Sequence, residues 1–208
     1  MREERRDARR QAILDAAFDV LRREGYRGAT MLAVAKEARA SKETLYAWFG
    51  DKQGLFAALI EANAAEARAE VEAALAGGAP TEAALRRFGQ ALLRLLTGER
   101  AVAINRAAAA DADADAALGK VLAAAGRETV LPRLTALIEA AAARGEVDVA
   151  GDGPAAAEAY LGLLLGDLPV RRIIGVAAAP TGEAAEARAA RAAALWLKLY
   201  RSEPATRR

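Results

Sequence analysis

The sequence predicts an all-α fold, on three observations. Alanine, the best helix former, is abundant along the whole chain. Gly and Pro recur at intervals of about a helix length. Dense runs of β-branched and aromatic residues, the mark of strands, are missing. With 208 residues, 54 % of them hydrophobic and 28 % charged, the chain can fill one large or two small cores and is globular rather than disordered.

The composition also excludes chemistry. There is no Cys and no His, and Ser occurs only at Ser41 and Ser202. No disulfide framework, Cys or His zinc site, or Ser-His-Asp triad can be assembled from this set, and no carboxylates or lysines gather at a catalytic spacing. Neither an enzyme nor any metal or other cofactor is expected. Net charge is only +2, so affinity for nucleic acid must come from local placement. The N-terminus is locally basic, with Arg2, Arg5, Arg6, Arg9 and Arg10 ahead of any apolar run and no signal-peptide core behind them. Apolar stretches such as LGLLLG at 161–166 are too short to span a bilayer, and a soluble cytoplasmic protein is expected.

The first helix falls at 7–24, where Ile13, Ala16, Ala17, Val20 and Leu21 recur every three or four positions. Gly25 follows as a residue suited to positive φ, and Thr30 caps a second helix over 31–38 that presents Leu32, Val34, Ala35 and Ala38. The short turn Arg39-Ala40-Ser41 puts Arg39 where a left-handed conformation is needed, at a cost of about 1 kcal/mol. Ser41 caps a third helix over 42–49. Leu45 and Phe49, four apart, face inward, while Lys42, Glu43, Thr44, Ala47 and Trp48 look outward and Tyr46 lies at the margin. Two short helices joined by such a corner have helix-turn-helix spacing, in which the start of the second helix reaches base edges in a major groove. The alternative is a structural corner in a helical small-molecule carrier or enzyme.

Asp51 caps a long fourth helix that continues to about residue 75, roughly 35 Å at 1.5 Å per residue. AGGAP at 76–80 breaks the chain, and Thr81 starts a fifth helix with Leu85, Phe88, Leu92 and Leu95 on its apolar side. Gly98 ends it, and a shorter helix over 99–110 carries Asn105 and Arg106 as its strongly polar central residues. DADAD at 111–115 is no calcium loop, because Ala116 and Leu122 stand where a Gly and an acidic residue are required. A short helix over 118–125 precedes one within 126–145, in which Pro132 lies in the first turn if Thr129 is the cap. After the loop GEVDVAGDGP, Pro154 opens a helix through Leu168 that Pro169 kinks or ends. A final helix over 183–200 is apolar around much of its circumference, and these last two helices point to pairing with a second copy.

The first fifty-six residues resemble the DNA-binding domain of the TetR/AcrR family of bacterial regulators. The pattern is met by Gly25, Thr30, Val34, Ala35, Ala38, Ser41, Thr44, Tyr46, Phe49, Lys52 and Leu55. Arg39 and Ala40 depart from it, standing where the family usually has Gly and Val. More loosely, AAAARGEVD at 140–148 and AYLGLLLGDLPVRRIIG at 159–175 resemble the AefR-like branch of C-terminal domains, with Pro169 as a departure. The resemblance implies an N-terminal helix-turn-helix domain (1–56), a helical effector-binding and dimerisation domain (57–208) and about nine helices in all.

It implies that Thr30, Tyr46 and Lys52 hold phosphates, and that Lys42, Glu43, Thr44, Ala47 and Trp48 face the groove beside the Ser41 cap. The implied partners are a near-palindromic double-stranded DNA operator, a second copy of the chain and a small apolar or amphipathic effector. For the effector pocket the sequence offers Phe88, Leu92, Asn105, Arg106, Leu134, Tyr160 and Leu164. For the dimer face it offers Leu161, Leu165, Leu168, Arg171, Ala190, Ala194, Trp196 and Leu197. The function expected is that of a ligand-responsive transcriptional repressor.

Overall fold

The computed structural model describes residues 2–75, 79–112 and 116–201. They form helices α1 (Arg2–Gly28), α2 (Met31–Glu37), α3 (Lys42–Phe49), α4 (Lys52–Leu75), α5 (Thr81–Thr97) and α6 (Glu99–Asp111), followed by α7 (Ala117–Ala125), α8 (Arg127–Ala143), α9 (Gly153–Leu165), α10 (Leu168–Ile173) and α11 (Gly182–Leu199). The only extended pairing among the described residues is an isolated antiparallel bridge between Val147 and Arg201. The all-α expectation therefore holds, with eleven helices described against about nine foreseen.

Two compact units emerge from the packing, and they do not follow a single cut in the chain. The first takes residues up to Ala65 together with Glu99–Ala125. Here α1 packs on α2 and α6, α2 meets α3, and α6 pairs with α7. Ile13, Leu14, Val20, Val34, Leu45, Leu55 and Leu59 are wholly buried in its core, each contributing about 1.5–3 kcal/mol by leaving water. Tyr26 meets Phe56 edge-on with centroids 5.3 Å apart. The DADAD run falls partly outside the described residues. Its first member, Asp111, is buried at the end of α6 and accepts a 3.4 Å hydrogen bond from the Leu118 amide.

The second unit takes Glu66–Gly98 and the chain from Gly126 on. In it α11 lies against α5 and α9, and α8 against α9. Its largest buried side chains are pinned by hydrogen bonds as well as by area: the Tyr160 hydroxyl donates to the Leu85 carbonyl at 2.6 Å, and Trp196 Nε1 to the Ala156 carbonyl at 2.7 Å. Gly89 lets α5 approach this closely, since a Cβ there would stand 2.5 Å from the Tyr160 hydroxyl and 3.1 Å from both Ala189 Cβ and Leu164 Cδ1. Glu146 caps α5 from a distance in sequence, accepting from Thr81 N at 3.1 Å and Thr81 Oγ1 at 2.5 Å.

Four local expectations are corrected. α1 begins at Arg2 instead of residue 7, because Arg, Glu and Ala are good helix formers even where nothing is buried. α8 starts at Arg127, so Thr129 is no cap and Pro132 sits inside the helix. α9 stops at Leu165 and does not reach Leu168: Gly166 turns the chain with φ 49°, and Pro169 then occupies the first turn of a separate helix, where its missing N–H costs nothing. The segment after α8 is more than a loop, for Val147 and Val149 are buried and Asp148 N donates to the Tyr200 carbonyl at 2.8 Å.

Candidate nucleic-acid interface

The corner between α2 and α3 is built by local hydrogen bonds. Thr30 Oγ1 accepts from Ala33 N at 3.1 Å and starts α2; Ser41 Oγ accepts from Thr44 N at 3.1 Å and starts α3. A cap of this kind is worth about 1 kcal/mol. Between the helices Arg39 does take the left-handed conformation, with φ 48°. Asp51 Oδ1 then accepts from Gly54 N at 2.8 Å ahead of α4.

On α3, Leu45 and Phe49 are buried in the unit's core, which fixes the helix about its axis. Ser41, Lys42, Glu43, Tyr46 and Ala47 are exposed, while Thr44 and Trp48 are half-buried. Trp48 leans on the core beside Phe49, with ring centroids 6.4 Å apart. Lys42 lies 5.6 Å over the Tyr46 ring. The Glu43 carboxyl is held below its ordinary range by its own backbone N–H, by the Ser41 hydroxyl and by Lys42, so it stays an anion and an acceptor at neutral pH. The exposed edge of α3 thus carries an ammonium donor, a carboxylate acceptor and a hydroxyl within its first turn, the groups that pair with base edges.

Lys52 sits differently from its neighbours. Its ammonium donates to the Tyr26 carbonyl and, at 3.4 Å, to the Arg27 carbonyl, and it lies 4.1 Å over the Tyr26 ring. Burial pulls its pKa down against the attraction of Asp111.

Two contacts at the corner escape sequence reasoning. Arg9 Nη2 donates to the Arg39 carbonyl at 2.8 Å, and the Arg10 guanidinium lies 5.5 Å over the Phe49 ring. The arginine run is visible in the sequence, but its partner thirty residues on carries no sequence signal. Gly54 gives no signal either: a Cβ there would fall 2.0 Å from the Phe49 carbonyl oxygen, so only Gly lets α4 begin so close to the end of α3.

The seven residues offered for an effector pocket divide between the two units. Phe88, Leu92, Leu134, Tyr160 and Leu164 are packed in the core of the second unit, while half-buried Asn105 and exposed Arg106 belong to the first. Asn105 Nδ2 turns back to the Ala101 carbonyl at 2.9 Å. An open cleft of about 590 Å³ lies instead beside Glu139, Val147, Asp148 and Val149. Of the dimer-face residues, Arg171 and Ala194 are exposed, and Leu161, Leu165, Leu168, Ala190 and Leu197 are half-buried. Trp196 is a correction: it is wholly buried within its own unit, because its indole N–H finds a carbonyl there. A groove of about 600 Å³ runs between α9 and α11 past Leu163, Arg191 and Leu195. Among the described residues, no helix is long and apolar enough to cross a membrane.

Family models match both parts of the chain. Residues 13–59 match the model of bacterial regulatory proteins of the tetR family, and residues 83–202 that of the C-terminal domain of AefR-like transcriptional repressors. Over 55 residues, 26 % of this chain, it is 40 % identical to a helix-turn-helix-type transcriptional repressor of Streptomyces coelicolor, and the match spans 29 % of that relative. Among solved structures it is similar to a TetR-family regulator from Mesorhizobium loti MAFF303099, at 25 % identity and a TM-score of 0.82 over 94 % of this chain and 98 % of that one. A TetR transcriptional regulator from Agrobacterium tumefaciens is 33 % identical, with a TM-score of 0.75 over 94 % of this chain and 95 % of that one.

Proposed function

The chain belongs to the TetR family of bacterial regulatory proteins, and from that premise we propose that it is a ligand-responsive transcriptional repressor acting as a homodimer on a near-palindromic operator. The observation that carries this reading is α3, capped by Ser41, locked to the core by Leu45 and Phe49, and left open along Lys42, Glu43, Thr44 and Ala47. Thr30, Tyr46 and Lys52 supply a hydroxyl, a phenol and an ammonium for phosphates, which set register but carry little sequence information. Residues 1–56 read DNA; residues 57–208 bind the effector and pair the copies through α9 and α11, where the groove past Leu163 and Leu195 leaves apolar surface uncovered.

Coupling runs along α4, whose first part belongs to one compact unit and whose last part to the other. A pivot at its far end changes the spacing of the paired recognition helices, and linkage then requires effector and DNA to weaken each other equally. Binding to genomic fragments, with and without candidate apolar effectors at fixed salt, tests the reading. A salt-sensitive complex with a palindromic site supports it. Failure to form any specific complex would favour the rival, a helical carrier or enzyme in which the corner is only structural.

A further inference from the structure

Of the arginines at the start of α1, Arg9 and Arg10 have folding contacts, and Arg5 and Arg6 are unexplained by folding. Arg5, Arg6, Arg9 and Arg10 all lie in the first turns of the helix, the end at which the helix dipole favours anions, and all four are exposed. Positions 5, 6, 9 and 10 fall on one side of the helix over about a turn and a half, and that side continues into the apolar stripe of Ile13, Ala17 and Val20. Glu4 and Asp7 fall off it. Cations placed against a helix dipole, and segregated on one face, need an anion from elsewhere to account for them.

The structure also fixes where this face lies. Arg9 holds the carbonyl of Arg39, two residues before the Ser41 cap of α3, and Arg10 covers Phe49 at the other end of α3. One turn toward the N-terminus, about 5–6 Å along the axis, Arg5 and Arg6 fall on the same side of α1 as Arg9 and Arg10.

We propose that the first two turns of α1 extend the DNA interface: Arg5 and Arg6 bind the phosphate backbone flanking the groove that α3 enters, while Arg9 and Arg10 tie this arm to the corner. This rests on the DNA-binding reading of α3. The occupant is a run of phosphates, since several exposed guanidiniums along one face match the repeated negative charge of a strand.

The test uses the full chain with Arg5 and Arg6 both replaced by Ala (R5A/R6A), titrated against a duplex that the unaltered protein selects from genomic DNA and against a scrambled duplex of equal length, across a salt series. The expected result is a loss of about tenfold on both duplexes and a salt slope smaller by about two units, with the melting temperature unchanged or raised. The R5K/R6K variant should restore the slope. An unchanged slope overturns the proposal, as does a loss confined to the selected duplex that Lys does not restore, which would mean base reading. If the unaltered protein binds neither duplex, the DNA-binding reading itself has failed. If it binds and only the R5A/R6A result is flat, the arm alone is wrong.

Discussion

Arg100 Nη2 of α6 lies 2.6 Å from Asp15 Oδ1 of α1, and the same guanidinium covers the Phe18 ring at 4.9 Å. One residue, Gly98, separates α5 from α6, and the last carbonyl of α5, on Thr97, is held at 2.9 Å by Arg172 Nε of α10. Because Asp15 is half open to water, the ion pair is worth only about 0.2–1 kcal/mol, with a similar amount from the ring contact. Arg100→Ala should lower the melting temperature by a few degrees. Asp15→Ala added to it should cost little more; full additivity in that double-mutant cycle would show that the two residues act separately.

Gly54→Ala should be more damaging than a glycine-to-alanine change inside a helix normally is, where Ala is the better helix former. The added Cβ meets a backbone carbonyl of Phe49 at 2.0 Å, and backbone cannot rotate away. Either the end of α3 or the start of α4 must move. Operator affinity should fall at least tenfold with a loss of about 1–3 kcal/mol in stability, measured by DNA titration and thermal melting. An unaltered operator affinity would mean that the α3–α4 junction does not position the reading face.

The α2–α3 corner is legible in the sequence because its signals are local. Thr30, Ser41 and Asp51 each accept a hydrogen bond from an amide three residues on, and Leu45 and Phe49 fall on one face by spacing alone. The features that stay hidden depend on distant partners. Nothing in GDLPVRRIIG tells that Gly166 ends α9 before Pro169 opens a helix of its own, and nothing in GEVDV tells that Glu146 caps α5. For Trp196, the apolar residues of α11 spread too far round the helix to say which way the indole turns, and only the Ala156 carbonyl decides.

Glu146 makes stability depend on pH in a stated window. Hydrogen bonds from Arg144 and from the Thr81 hydroxyl and amide hold its carboxyl down at about 2, against an ordinary 4.5. A depressed acid stabilises the fold above its unfolded value and loses that contribution as pH falls toward 2. The side chain is 36 % exposed, so after solvent screening about 1–2 kcal/mol is at stake. Glu146→Gln should melt lower than the unaltered chain at pH 7, and the gap should close between pH 4.5 and 2. A gap independent of pH would assign the effect to shape, not charge.

Lys42 and Lys52 should respond differently to replacement by Ala. Lys42 is exposed with only the Tyr46 ring beneath it, so its loss should leave the melting temperature unchanged and alter sequence preference. Lys52 ties the Tyr26 and Arg27 carbonyls at the end of α1, so its loss should lower stability by about 1 kcal/mol as well as weaken binding to all sequences. Equal preference profiles for the two variants would sink the assignment of Lys42 to the groove.

Arg39→Gly should stabilise the chain. Arg39 sits at φ 48°, where a Cβ costs about 1–2 kcal/mol and Gly pays nothing, although Gly gives back part of that gain, about 0.5–1 kcal/mol, through the entropy of the unfolded chain. The bond from Arg9 is to the backbone carbonyl of residue 39 and survives the change. The net rise should be about 0.5–1 kcal/mol, read as a melting temperature higher by a few degrees. Operator affinity separates two reasons for an arginine at a strained position. If affinity is unchanged, the side chain does not contact DNA and the strain is uncompensated. If it falls along with the salt slope, Arg39 is itself a phosphate contact, and the strain is offset by binding.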